Sequence, residues 1–356
     1  MKMSDKLWLL VYWVSFSVLC CDLNNEQAIV AEVPSLLNDG TSRQVLLSNN
    51  TTSGLKGLPG VLQMHSADNL QLIDRIDHWP MPAGMIDSID ADPVAVDVDY
   101  DGIVDALYAV NRTGLVWFIR IQPSGFTQPE LIADLSSAGA SFKQPLQLVQ
   151  YSNDGKAGIQ HRQVMLLLIA STANAGDVLM AVKHQRSQSS TVTLNDLTDR
   201  TLLTIDEENY GIDEQLWQQI KQGAGWFVHL NARMLNVPKV YAGVVYFSAA
   251  DTAKVQADCT LTENTLQQFY AVHLHHAGSV YVKRNWLMEA ISKADLSLQT
   301  NEKDQLQLVM QSEQQQHIVV DAMLAISELC ADCVEELSSD QFPKIIRLAT
   351  FQSESY

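Results

Sequence analysis

Positive charge is scarce in this sequence. Only 23 lysines and arginines face 41 aspartates and glutamates over 356 residues, a formal net charge of −18. A phosphate backbone needs a basic surface, so this balance argues against nucleic acid as a partner. It suits cation binding and a soluble, self-repelling surface. Cysteine is also sparse, with five in all. Cys20 and Cys21 close an N-terminal apolar run, which leaves Cys259, Cys330 and Cys333 in the body of the chain. An odd count leaves a thiol without a partner inside that body. Cys330-Ala331-Asp332-Cys333 has redox-motif spacing but lacks a βαβ context, and one such pair is too few for a zinc site. In an oxidising compartment a disulfide, local or to Cys259, is the expected use. Long low-complexity tracts are missing. So are apolar runs beyond the N-terminus long enough to cross a bilayer.

The N-terminus reads as an export signal. Lys2 and Lys6 supply a short basic region, and residues 7–19 are nearly all apolar. Such a run is short for a membrane span and suited to a signal core. An uncleaved anchor is the alternative. A cysteine at its end suggests a lipoprotein, with Cys21 as the lipid-anchored residue and Val18 acceptable three places before it. The domain expectation is a signal over 1–21, a β-propeller region over 22–296 and a C-terminal β/α extension over 297–356 packed on it. The protein is expected outside the cytoplasm: in the periplasm, on the outer surface or associated with a pilus.

What is present is β-type sequence. Apolar residues make up 47 %, enough for a sizeable core. Short runs at 44–47, 60–64, 70–76, 94–96, 106–110 and 115–121 are separated by turn chemistry such as Ala67-Asp68-Asn69 and Asn111-Arg112-Thr113-Gly114. Further runs follow at 164–170, 177–183, 226–230, 237–241, 244–247 and 268–273. The predicted fold class is all-β, a propeller-like array of antiparallel blades with a few short helices. A sandwich is the alternative, and periodicity does not choose between them. Residues 212–221 read as a helix. Residues 320–337 start β-like and turn helical from about 327.

One loop carries clear chemistry. Asp97, Asp99, Asp101 and Asp105 stand at positions one, three, five and nine of Asp97-Val98-Asp99-Tyr100-Asp101-Gly102-Ile103-Val104-Asp105. Calcium is a hard cation that takes six to eight oxygen ligands. Alternating aspartates let a chain curl around such an ion, with Gly102 for the sharp turn and the Ile103 carbonyl as a backbone ligand. Tyr108 stands where an EF-hand has a bidentate Glu, and the flanks read as strands. The loop is therefore an EF-hand-like Ca2+ site in a β setting. Without a cation the carboxylates would repel one another. Magnesium suits the loop less well, since it keeps more water.

No catalytic constellation stands out, and the chain is expected not to be an enzyme. His273-Leu274-His275-His276 could offer two imidazoles on one strand face to zinc or copper, but its place before Ala277-Gly278 reads as a strand end. Ser53-Gly54 and Ser124-Gly125 lack a nucleophile-elbow pattern. Gly223-Ala224-Gly225 lacks the rest of a phosphate fingerprint. Trp117, Trp226 and Trp286 could stack on sugars, although the first two sit in β patterns and read as core. Asn50-Thr51-Thr52 and Asn111-Arg112-Thr113 match the glycosylation triplet by a pattern that chance supplies.

The surroundings of the acidic loop resemble the C-terminal propeller of the PilY family of type IV pilus biogenesis and tip-adhesin proteins. The resemblance rests on Asp92-Pro93 before the loop, Tyr108-Ala109-Val110-Asn111 after it, and Gly114-Leu115-Val116-Trp117-Phe118-Ile119 as the next strand. Gly225-Trp226-Phe227-Val228-His229-Leu230 and Asp258-Cys259 followed by Phe269-Tyr270-Ala271-Val272 are similar to later family blocks. Departures are Ser48-Asn49-Asn50 and Ala170-Ser171-Thr172, where the family has glycine-bearing turns. The chain thus resembles a shortened, diverged form with four or five blades. The resemblance implies a calcium-binding role in pilus assembly, adhesion or control of extension and retraction. Asp97, Asp99, Asp101, Asp105 and the Ile103 carbonyl would be the ligands, and minor pilins the partners. The alternatives are a periplasmic or surface lipoprotein binding a protein or glycan, unrelated to pili, and a propeller enzyme such as a quinoprotein dehydrogenase or glycoside hydrolase.

Overall fold

The computed structural model describes residues 29–35, 42–49, 60–80, 88–152, 162–172, 176–185, 190–256, 260–262, 264–312, 315–321 and 323. The signal segment, all five cysteines, Asn50-Thr51-Thr52, Ser53-Gly54 and the helical expectation over 327–337 lie outside them.

Among the described residues strands dominate and fall into five sheets that follow chain order. The first holds β1 (Ile29–Pro34), β2 (Ser42–Ser48), β3 (Leu62–Ser66) and β4 (Leu72–Ile76). The second holds β5 (Val94–Val96), β6 (Ala106–Val110), β7 (Leu115–Gln122) and β9 (Glu130–Asp134), with the short β8 (Gly125–Phe126) beside β7. The third is built on β10 (Gln147–Ser152), β11 (Arg162–Thr172), β12 (Gly176–His184) and β15 (Gly225–His229). The fourth has β16 (Arg233–Met234), β17 (Lys239–Tyr241), β18 (Val244–Ala250), β19 (Leu266–His273) and β20 (Asn285–Glu289). The fifth has β21 (Asp295–Thr300), β22 (Leu306–Gln311) and β23 (Gln316–Val320).

Successive side chains of a strand point to opposite faces, so a strand buried on both faces is apolar throughout. That is the pattern of β6 and β12, where every residue is buried. The two faces of β11 feed two different cores. Leu166 and Leu168 pack with Tyr108, Phe118 and Leu135 of the second sheet. Met165, Leu167 and Ile169 pack with Trp226, Phe247 and Tyr270 towards the fourth. Likewise Leu47 and Met64 meet Leu107, Trp117 and Ile119, and Tyr246 and Phe269 meet Leu308 and Met310. Each inner sheet is therefore sandwiched face to face between its chain neighbours, which is the blade arrangement of a propeller-like array. A two-sheet sandwich has one such core, not four. Burying a large apolar side chain contributes about 1.5–3 kcal/mol, so these interfaces hold the blades in order.

Residues between β12 and β15 stitch two blades. β13 (Val192–Thr193) pairs in parallel with β9 of the second sheet. β14 (Thr198–Asp199) pairs in parallel with β15 of the third. Two short helices follow, α1 (Ile205–Tyr210) and α2 (Glu214–Gln222). Each opens on a side-chain cap: Thr204 accepts from Glu207 N and Asp213 from Leu216 N. Among the described residues, no helix is long and apolar enough to cross a membrane.

Candidate metal site

The acidic loop connects β5 to β6. Its base is a regular antiparallel pair, with Val96 opposite Ala106, and Asp105 N donates to Val96 O at 3.0 Å. Val98 points into the core between the second and third sheets, and Val104 packs against the one between the first and second. The Val98 anchor turns the aspartates on either side outwards. The loop then winds around Asp97: its Oδ1 accepts from Tyr100 N at 2.6 Å and its Oδ2 from Gly102 N at 2.8 Å. This curl takes Tyr100 to φ 63° and Gly102 to φ 89°. Gly102 fits because such a φ disfavours side chains.

Asp97, Asp99 and Asp105 come together, each offering a carboxylate oxygen within 4.8 Å of the others. Two oxygens on one calcium ion lie at most about 5 Å apart, twice the usual contact distance. The three oxygens therefore satisfy that limit and form a donor set able to hold a metal ion. Asp101 stands outside the group. Its Oδ1 accepts from Ile103 N at 2.8 Å. Asp105 is half-buried, and burial pushes its carboxyl above the usual range. The Val98 N–H, donating at 2.7 Å, pulls the other way, while the charges of Asp99, Asp97 and Asp101 add to the rise. Two unit charges at 4.8 Å repel by about 1 kcal/mol in water and about 3–4 kcal/mol at an effective dielectric of 20.

Three sheets hold this loop. Val104 N donates to Glu32 O of β1 at 2.7 Å. Ile121 N of β7 donates to Asp105 O at 2.7 Å. From β10, Gln150 Nε2 donates to Asp97 O at 2.8 Å. The carboxylates thus sit on a backbone fastened at both ends and at one flank.

No family model matches the sequence, and no curated protein does. Solved structures share its general shape at low identity. The C-terminal domain of PilY1 from Pseudomonas aeruginosa is 15 % identical, with a TM-score of 0.49 over 84 % of this chain and 73 % of that one. A quinohemoprotein alcohol dehydrogenase from Comamonas testosteroni is 10 % identical, with a TM-score of 0.37 over 75 % of this chain and 49 % of that one. The β-propeller domain of Cps50 (Swd1) from Myceliophteria thermophila is 9 % identical, with a TM-score of 0.33 over 85 % and 70 %. These neighbours include an enzyme, and function has to be argued from the chain's own residues.

The histidines form a second cluster, at the joint of the third and fourth sheets. His273 ends β19, and His275 and His276 lie in the turn after it. The rings of His273 and His276 stack with centroids 4.0 Å apart. Trp217 of α2 stands edge-on to His276 at 5.7 Å, and Tyr151 of β10 to His275 at 4.8 Å. Among the described residues these three imidazoles do not converge as metal ligands do; the aspartate group is the one that does. Two of them are also committed: His273 Nδ1 accepts from His275 N at 3.2 Å, and His276 Nδ1 from Gly278 N at 3.1 Å. An accepting Nδ1 puts the proton of a neutral ring on Nε2. Burial, above all, holds His273 and His275 down at about 4 and His276 at about 3. Neighbouring Lys183 is pushed down to about 8, mainly by burial and then by Lys221. Its Nζ donates to the carbonyls of Ile220, Lys221 and Gly223 and so closes the C-terminal end of α2.

The remaining sequence candidates have structural positions. Trp117 and Trp226 are fully buried, and Trp226 Nε1 donates to Leu274 O at 2.8 Å. Trp286 is half-buried against Phe269 and Tyr281. Gly223 follows α2, and Gly225 opens β15, where an added Cβ would stand 1.9 Å from Ala181 O. Asn111 is fully buried, and its Oδ1 accepts from Leu115 N at 2.7 Å, so it braces the β6–β7 turn instead of offering a glycosylation acceptor. Sequence reading missed the buried Arg200–Glu207 ion pair and the Arg233–Asp177 pair. Partners 7 and 56 residues apart leave no local pattern to find.

Proposed function

We propose that this chain is a non-enzymatic, calcium-binding exported protein that acts in type IV pilus assembly or in calcium-dependent control of pilus extension and retraction. The observation that carries the reading is the convergence of Asp97, Asp99 and Asp105 in a loop fastened to three sheets. The motif resemblance around that loop supplies the pilus context. Asp97, Asp99 and Asp105 would hold the ion, with Asp101, the Ile103 carbonyl and water completing six to eight oxygens. Calcium would supply the positive charge that the crowded carboxylates lack. Asp97 and Asp105 would then relax towards a single arrangement, and their backbone would fix the exposed Asp99–Gly102 crest for a partner to read. Minor pilins are the proposed partners. The proposed address is the periplasm, outer surface or pilus, with Cys21 as a lipid anchor.

The test is recovery of the tagged full chain from its own cells in millimolar calcium and, separately, in chelator. Minor pilins should co-purify in calcium and be lost in chelator or after Asp99→Ala. Recovery of the chain without pilins in both conditions would overturn the pilus role. A second reading, a surface protein binding a glycan, is favoured by one feature. Tyr281 is partly exposed, and its ring stands edge-on beside half-buried Trp286 with centroids 6.0 Å apart, an apolar surface with a polar tip at which a sugar could pack.

A further inference from the structure

Among the described residues the fifth sheet has one strand fewer than the pattern of the other four. In each of those, an outer strand follows its inner neighbour in the chain and pairs with it antiparallel: β4 on β3, β9 on β7, β15 on β12 and β20 on β19. In the fifth, β23 pairs with β22 on one side and with no described strand on the other. Val319, Val320 and Met323 already pack against the core between the fourth and fifth sheets, and Ile318, on the opposite face, is 57 % exposed. An open row of backbone N–H and C=O groups beside such side chains is a template for another strand.

The occupant can be read from the chain itself. Past Met323 the sequence runs on beyond the described residues, and one stretch of it has the missing pattern. Residues 344–350 read Lys-Ile-Ile-Arg-Leu-Ala-Thr, a short β-type run after Pro343. Alternation puts Ile346 and Leu348 on one face. That is the spacing of Trp286 and Met288, which the outer strand β20 presents to the same core. A connection over residues 321–343 is of ordinary length here, since the others run from residues 67–71 to residues 185–224. Charge sets the direction. Asn301 Nδ2 donates to Asp321 Oδ1 at 3.5 Å, so Asp321 stands beside the β21–β22 turn, where Glu302 and Asp304 are exposed and Lys303 is the one cation. Antiparallel pairing with β23 brings Lys344 to that acidic end, and opposite charges set side by side on a sheet favour the pairing. We propose that residues 344–350 add to β23 as the antiparallel outer strand of the fifth sheet and so close an edge that would otherwise pair with other chains. The proposal does not depend on the calcium loop.

The test is hydrogen exchange on the full chain in chelator. Amides in 344–350 and in 316–320 should both exchange slowly, at rates independent of protein concentration. Ile346→Asp with Leu348→Asp removes the face that meets the core and should speed exchange in both stretches about tenfold or more. Ile345→Asp with Ala349→Asp, on the other face, should change them far less. β11 and β12, in the middle of the array, should keep their protection in both variants. Fast exchange at 344–350 in the unaltered chain, equal effects of the two double variants, or protection at 316–320 that survives the first of them would overturn the proposal. So would protection that rises with protein concentration, which would put the strand on a second copy.

Discussion

Acid should loosen the joint between the third and fourth sheets before it affects the other cores. The perturbation is a fall in pH from 7.5 to 4.5. His273 and His275 titrate near 6.5 in an unfolded chain and are held at about 4 in the fold. Between those values the unfolded chain binds more protons than the folded one, so stability is full above about 6.5 and falls as pH drops towards 4. At ~1.4 kcal/mol per pH unit, each of these two contributes at most about 3 kcal/mol. His276 lies lower still, at about 3, but its ring is stacked on His273, and the two titrate as a coupled pair. Partial exposure and that coupling reduce the cluster's loss to about 3–5 kcal/mol by pH 4.5, against a typical total of about 5–15. Asp105 works in the opposite direction. Its carboxyl is raised in the fold, so just above its ordinary value it binds the proton more tightly folded than unfolded. The assay is urea unfolding followed by tryptophan fluorescence, in chelator, across this range. His275→Phe keeps a ring against Tyr151 and Trp217 and removes one titrating group. It should flatten the slope by up to about 1.4 kcal/mol per pH unit. Superimposable profiles for the two proteins, or stability unchanged from pH 6.5 to 4.5, would refute the reasoning.

Other perturbations probe the scaffold and the loop. Asp177→Ala should cost about 3–5 kcal/mol in urea unfolding, because it strands the buried Arg233 and removes the acceptor of Met234 N at 2.9 Å. Gly225→Ala should cost about 2–4 kcal/mol, since the new Cβ meets Ala181 O at φ 143°. Gly211→Ala, at φ 83° in open space, should cost only about 1 kcal/mol; equal losses would show that the close approach is not what matters. In calcium titrations Asp99→Asn should weaken binding more than Asp101→Asn, and the reverse order would place the ion elsewhere in the loop.

Much of the architecture could be read from residue pattern, and the misses have physical causes. The strand pairs around the acidic loop and the long β11–β12 hairpin declare themselves through apolar runs bounded by turns. The choice of blades over a sandwich could not be read there. It depends on Leu166 and Leu167 facing different cores, a tertiary fact. β20 was missed because Leu287, Met288 and Glu289 are helix formers, and pairing with β19 overrides that preference. β13 and β14 are two residues each and pair in parallel across sheets, with no local signature. The helix expected over 212–221 is α2, while the six-residue α1 is too short to show a period. At the site, spacing alone made Asp99 and Asp101 equivalent. In the fold each accepts a local backbone N–H two residues on, but only Asp99 converges with Asp97 and Asp105.

The most direct measurement is calorimetric titration of calcium into the chelator-stripped full chain. One ion should bind per chain, with a Kd of order 10⁻⁴ M or tighter, and the heat should vanish when Asp97, Asp99 and Asp105 are all changed to Asn. No heat at millimolar calcium, or the same heat from that triple variant, would contradict the account.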